Sequence, residues 1–344
     1  MKRVFFVTGV SFVFGALLLL SVAVSAGPAS QSDETEDLFA DPVKRGEYLA
    51  YVSGCIDCHT PLREEFEADE LDTEQLQTLA FNRRDALDEA MWMAGNRWFN
   101  LGPAGRIRST NITPHAETGL GERTDEEIKA MIQLGLSRRD HQLFPLMPYQ
   151  HYNTMAEDDL DALVAYLRSI EPIDFETPHP DVEEHHLGER PHIDPPEDPL
   201  AEAPAPTDIE ARGDYLFNSV LLCTNCHTPR NPDTGQPDPE LYLSGGQPFE
   251  GAWGIVYGGN ITPHDDTGIG SWSDEDIKRV LAEGIRPDGR RVVVMPSSYL
   301  SVLTEEDLDA IVYYLRNVVE PVQREIPAGS LQEGFFEEFV DFSD

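Results

Sequence analysis

Apolar residues recur at three- and four-residue intervals in two widely separated stretches of the chain. Leu160, Leu163, Val164 and Leu167 mark one; Leu308, Ile311, Val312 and Leu315 mark the other. That spacing lines one face of a helix, so each stretch predicts a helix burying an apolar stripe. Start signals agree. Thr124 and Glu127 stand as in a capping box, where the N-cap hydroxyl and a carboxylate three residues on each satisfy a free amide. Thr304 and Asp307 repeat the spacing, with Asp in place of the usual Glu or Gln. Asp41 followed by Pro42 predicts a third helix start, with its end near Gly54. The chain opens differently. Val4 to Val24 is predominantly apolar, Lys2 and Arg3 precede it, and Val24-Ser25-Ala26 offers small residues for cleavage. Residues 1–26 therefore read as an export leader, with an uncleaved membrane anchor as the alternative.

These elements come in pairs because the chain repeats itself. RGEYLAYVSGC (Arg45 to Cys55) returns as RGDYLFNSVLLC (Arg212 to Cys223). MAGNRWFNLGPAGRIRSTNITPHAETGLG (Met93 to Gly121) parallels LSGGQPFEGAWGIVYGGNITPHDDTGIG (Leu243 to Gly270). TDEEIKAMIQLG (Thr124 to Gly135) matches SDEDIKRVLAEG (Ser273 to Gly284). Finally, EDDLDALVAYLRSIEP (Glu157 to Pro172) matches EEDLDAIVYYLRNVVEP (Glu305 to Pro321). The first copy is longer: 52 positions separate His59 from Asn111, against 33 between His227 and Asn260. The surplus falls in a charged stretch, Leu62 to Ala90. The expected organisation is two tandem domains, 41–172 and 208–321, of all-α class. A proline- and acid-rich linker, 173–207, joins them, and an acidic tail, 322–344, follows.

Charge narrows the partners. The 344 residues carry 63 acidic and 25 basic side chains, a formal net charge of −38. Phosphate contacts need basic patches, so nucleic acid is excluded as an expected partner. Two readings of the acidity stay open: a generally solvated surface, and a face that steers a basic redox partner.

All four cysteines fall in CIDCHT (Cys55 to Thr60) and CTNCHT (Cys223 to Thr228). A zinc site would gather four thiolates around one ion, and a thioredoxin-like pair would need a βαβ context. Neither explains a histidine after each pair. Covalent haem attachment does: Cys55 and Cys58, or Cys223 and Cys226, bond one porphyrin, and His59 or His227 becomes an axial ligand of its iron. Two covalently bound haems c are expected. For the opposite face of each iron, Met295 is the only methionine after His227. Repeat alignment sets Met147 opposite it, and proline follows both. Met147 and Met295 are thus the candidate sixth ligands, with core filler as the alternative role. His115 and His264, after each Asn-Ile-Thr-Pro, read as polar loop positions, and His179, His185, His186 and His192 as solvated linker residues. Trp98, Arg108, Trp253 and Tyr257 are candidates for ring packing or for hydrogen bonds to haem propionates.

Taken together, Cys-x-x-Cys-His, Asn-Ile-Thr-Pro-x-x-x-Thr-Gly-x-Gly, Met-Pro and the final Asp-Leu-x-Ala-x-x-x-Tyr-Leu-Arg helix resemble class I cytochrome c domains. The chain is similar in particular to the multihaem cytochrome subunits of membrane-associated alcohol and aldehyde dehydrogenases. The resemblance covers about Asp41 to Pro172 and Asp208 to Pro321. It implies an all-helical domain around each haem, and an electron carrier with no bond-making chemistry of its own. It also implies transfer from a dehydrogenase donor to a quinone or terminal oxidase, with membrane association through the N-terminus or a partner, on the periplasmic side. Two departures stand out. Those subunits commonly have three units, and Ser297 and Leu300 replace the Tyr149 and Tyr152 of the first copy. The rival reading is a haem enzyme, such as a dihaem peroxidase or a thiosulfate-oxidising cytochrome. A thiolate-ligated catalytic haem needs a spare cysteine, which this chain lacks.

Overall fold

The computed structural model describes residues 38–68, 71–100, 105–137, 142–178, 181–182, 192–231, 237–251 and 253–331. The expected leader, His179, His185 and His186 of the expected linker, and the end of the tail lie outside these residues. Helix Pro42–Val52 begins where the sequence places it, with the Asp41 carboxylate accepting from the amides of Val43 and Lys44 at 2.9 and 3.4 Å. It crosses helix Glu157–Ser169, and Ile209–Tyr215 crosses Glu305–Asn317 in the same way. Both crossings depend on glycine. A Cβ on Gly46 would lie 1.9 Å from the Ala162 carbonyl oxygen, and one on Gly213 would lie 2.4 Å from that of Ala310.

One difference in length between the copies is absorbed locally. Arg45 and Cys55 are ten positions apart, Arg212 and Cys223 eleven. The extra residue is taken up by a π-helical turn over Leu216–Val220, with the Leu221 amide donating to the Leu216 carbonyl at 2.7 Å. Both paths therefore deliver a helical Cys-x-x-Cys-His, Cys55–His59 and Cys223–His227.

The all-α expectation is wrong. Two small antiparallel sheets accompany the helices, so the fold is mixed. In the first, β1 (Trp98–Asn100) pairs with β2 (Gly105–Arg108), and β2 with β3 (Asp181–Val182) from the linker. In the second, β4 (Pro248–Gly251) pairs with β5 (Gly254–Tyr257), and β5 with β6 (Ser330–Leu331) from the tail. Strands of two to four residues are too short to show alternation, and each sheet is completed by residues far away in sequence. The linker is also held down further on. Leu200 accepts from the Glu157 amide at 2.8 Å, and the Ala203 amide donates to the Asp158 carboxylate at 2.9 Å.

One continuous apolar core runs through both copies, and the helical stripes Leu160, Leu163, Val164, Leu167 and Leu308, Ile311, Val312, Leu315 all belong to it. Within it lies a matched pair of polar ties. Arg45 pairs with Asp159 at 2.5 Å, and Arg212 grips Asp307 with two nitrogens at 2.7 and 2.8 Å. Each tyrosine then crosses to the other copy. Tyr48 donates to Asp307 at 2.5 Å, and Tyr215 donates to Asp159 at 2.6 Å. This explains why Thr304 and Asp307 form only half of the expected box. Thr304 accepts from the Asp307 amide, but the carboxylate turns inward to Arg212 and Tyr48. Thr124 and Glu127 form the full reciprocal box. No helix among the described residues is long and apolar enough to cross a membrane.

Candidate functional site

A single helical turn brings residues i, i+3 and i+4 to neighbouring positions, so each Cys-x-x-Cys-His presents two thiols and a ring together. All four cysteines are free thiols. Burial pushes each of them up, Cys58 and Cys223 to about 12. A redox-active pair needs the opposite, a thiol acidified towards thiolate. Nor do the four converge on one ion: among the described residues, no group of three or more His, Cys, Asp or Glu is arranged to hold a metal. What remains is two separate thiol pairs, each with its own histidine.

The loop carrying Asn-Ile-Thr-Pro orients that histidine. His59 Nδ1 lies 2.8 Å from the Thr110 carbonyl, and His227 Nδ1 lies 2.8 Å from that of Gly259. A carbonyl only accepts, so Nδ1 carries the proton and Nε2 keeps its lone pair for a metal. Burial lowers both histidines below their ordinary range and keeps them neutral, against the raising effect of these bonds. The next residue fixes the loop. Asn111 Oδ1 accepts from the Thr113 amide at 2.9 Å and hydroxyl at 2.8 Å, while its Nδ2 donates to the Ile173 carbonyl at 2.8 Å. Asn260 does the same with Thr262 at 3.0 and 2.7 Å, and with the Val322 carbonyl at 2.8 Å. A second matched set ties the loop to the anchor. Thr60 and Thr228 accept from the amides of Met93 and Leu243 at 3.1 and 3.0 Å. The site residues considered from sequence omitted these asparagines and threonines, although their signal was there: Thr60, Asn111 and Thr113 recur in the second copy as Thr228, Asn260 and Thr262.

His115 and His264 turn back on their own loops. Thr118 and Thr267 approach their Nδ1 atoms at 2.8 and 3.2 Å. Met147 and Met295 are partly buried against the common core, each on the loop before a one-turn helix, Tyr149–Tyr152 or Ser297–Leu300. The two loops are held differently. Val294, before Met295, has φ of +72°, a region that β-branched residues rarely adopt, and its amide donates to the Ala80 carbonyl of the first copy at 3.0 Å. The residues before the two anchors approach each other: a Cβ on Gly54, which precedes Cys55, would lie 3.7 Å from Cδ1 of Leu222, which precedes Cys223.

The fructose dehydrogenase cytochrome subunit of Gluconobacter japonicus is 31% identical over 338 residues, covering 88% of this chain and 59% of that protein. The cytochrome c subunit of the quinone alcohol dehydrogenase of Gluconobacter oxydans is 29% identical over 313 residues, covering 86% of this chain and 58% of its own length. The chain is a homologue of dehydrogenase cytochrome c subunits. It spans somewhat under three-fifths of the length of those two relatives. A dihaem cytochrome c-type protein of Cereibacter sphaeroides, 27% identical over 316 residues, is matched over 96% of its length. No protein-family model matches the chain.

The homology sets the cofactor against which the remaining polar groups can be tested. Haem c carries two propionates, so its site should offer cationic or N–H donors that the protein leaves unsatisfied. Such donors occur in both copies. Among the described residues, Arg108 Nε in the first, Trp253 Nε1 in the second and Arg324 Nε in the tail that follows it are buried without a partner. Arg108 stacks 3.6 Å over Trp98, as aromatic and cationic partners do. Arg324 adjoins Gly246, next to Gly245, whose amide donates to the His227 carbonyl at 2.7 Å. The donor set therefore fits the group. Tyr257, the fourth of the expected aromatic and cationic residues, lies at the end of β5, half-buried.

Proposed function

We propose that the chain is an exported dihaem c-type cytochrome, an electron-transfer subunit serving a dehydrogenase. The observation that carries this reading is the doubled anchor turn, in which each neutral histidine spends Nδ1 on a loop carbonyl and keeps Nε2 for iron. Cys55, Cys58, His59 and Met147 would hold one haem c; Cys223, Cys226, His227 and Met295 would hold the other. When bound, the haems supply one-electron chemistry. The residues of the chain contribute the rest. The thioether positions fix each ring to a helix, the asparagine loops aim the histidines, and the core seats the methionine loops. Thioether sulfur favours reduced iron and raises the potential relative to a second imidazole. The approach of Leu222 to Gly54, the residues just before the two anchor helices, supports transfer from one centre to the other within the chain.

The relatives named as dehydrogenase subunits support a dehydrogenase donor. Onward transfer to a quinone or a terminal oxidase, a periplasmic site of action, and membrane association through the leader region or a partner complete the proposal. The leader-like sequence of 1–26 supports export. Affinity capture of the haem-loaded chain from its native membranes tests the function. The expected result is a co-purifying dehydrogenase whose substrate reduces the haem bands. A captured dehydrogenase whose substrate leaves those bands oxidised would contradict it.

A further inference from the structure

Asp57 is where the two anchor turns differ in charge, because its counterpart in the second copy is Asn225. Its carboxylate is gripped from two sides. Oδ2 accepts from Arg83 Nη1 at 3.1 Å, and Oδ1 accepts from the Tyr299 hydroxyl at 3.1 Å. Arg83 belongs to the surplus segment that only the first copy possesses, and Tyr299 follows Met295-Pro296 in the second. The Arg83 and Asp57 side chains are 23% and 20% exposed, so water screens this pair less than one on the surface. The same segment also touches the second methionine loop, through the bond from the Val294 amide to the Ala80 carbonyl at 3.0 Å.

We propose that Asp57, Arg83 and Tyr299 form a charged junction between the two haem sites that sets the difference between their potentials. The inference rests on the dihaem reading given above. Oxidised iron carries one more positive charge than reduced iron, so a nearby carboxylate favours oxidation and a nearby guanidinium favours reduction. Asp57 lies on the first anchor alone, whereas Arg83 stands between the two. Their removal should therefore leave different signatures, and a role in packing alone would leave neither.

Spectroelectrochemical titration of the full, haem-loaded chain tests this. Asp57→Asn gives the first anchor the residue that the second already carries, so the turn should form normally. It should raise the first centre's potential and shift an electron's distribution towards it about tenfold, about 59 mV for a one-electron couple. The second centre should move much less. Arg83→Gln should lower both potentials. Tyr299→Phe removes a hydrogen bond but no charge, and should move them far less than Asp57→Asn. Parent potentials in fully loaded Asp57→Asn and Arg83→Gln would overturn the junction, as would a Tyr299→Phe shift as large as that of Asp57→Asn. Intact mass distinguishes this from failure of the dihaem reading, since a parent chain with fewer than two haems would overturn the latter first.

Discussion

Asn111 and Asn260 act one step behind the histidines. Each closes its loop by accepting from the threonine two residues on and donating to a carbonyl about sixty residues further along, and the carbonyl just before each accepts from the anchor histidine. Asn111→Ala would strand the Thr113 amide and take the nearer donor from the Ile173 carbonyl, at a cost of roughly 1–3 kcal/mol. Chemical denaturation of the haem-loaded protein should show that loss while the haem stays attached. The methionines are tested through potential. Met295→His should lower the second centre and leave the first in place, because imidazole donates more strongly than thioether to oxidised iron. Met295→Ala should open that iron to cyanide or carbon monoxide. Unchanged spectra and potentials in Met295→Ala would remove methionine from the site. The candidate cysteines, histidines and methionines could be named from the sequence, since residue type and spacing mark them. The partners of the histidines could not, because a backbone carbonyl has no sequence signature.

Pairs of crossing helices hold each anchor, and the two pairs are stitched by tyrosines that reach into the opposite copy. Asp307 is fully buried with Arg212. Asp307→Ala would leave that guanidinium without its carboxylate, and breaking such a pair costs about 3–5 kcal/mol. Tyr48→Phe and Tyr215→Phe should each cost about 1–3 kcal/mol, because each leaves a buried carboxylate short of a donor. Equilibrium unfolding checks all three. If the copies behave as one unit, both tyrosine variants should shift a single transition rather than split it. The long helices were readable from their periodicity and caps. The ties were not, because Asp307 looks from sequence like a capping residue and its partners Arg212 and Tyr48 lie far from it along the chain. The surplus segment was equally opaque. It read only as a charged stretch, yet helix Thr73–Phe81 carries the Ala80 carbonyl that holds Val294, and Arg83 follows it to reach Asp57.

The two copies, taken as one body, bring unlike groups to matching places along their shared boundary. His151 aligns with Tyr299, and burial lowers it to about 4, a bond to the Leu221 backbone offsetting only part of that effect. Between about pH 6.5 and pH 4 the unfolded chain binds the proton more readily than the folded one. Stability is therefore fully present above pH 6.5 and is lost as pH falls, by up to about 3 kcal/mol. The difference between parent and His151→Phe carries this contribution, and it should be constant near neutrality and shift in favour of the variant in acid. A difference independent of pH would show that the ring contributes through packing alone. Two covalent haems in one chain remain the claim on which everything else depends. The most direct measurement is the intact mass of the denatured protein, produced in cells able to mature c-type cytochromes. The account predicts the polypeptide plus two haem groups, falling to one when Cys55 and Cys58, or Cys223 and Cys226, are replaced by serine. A polypeptide mass without haem, or with zinc in place of iron, would contradict it.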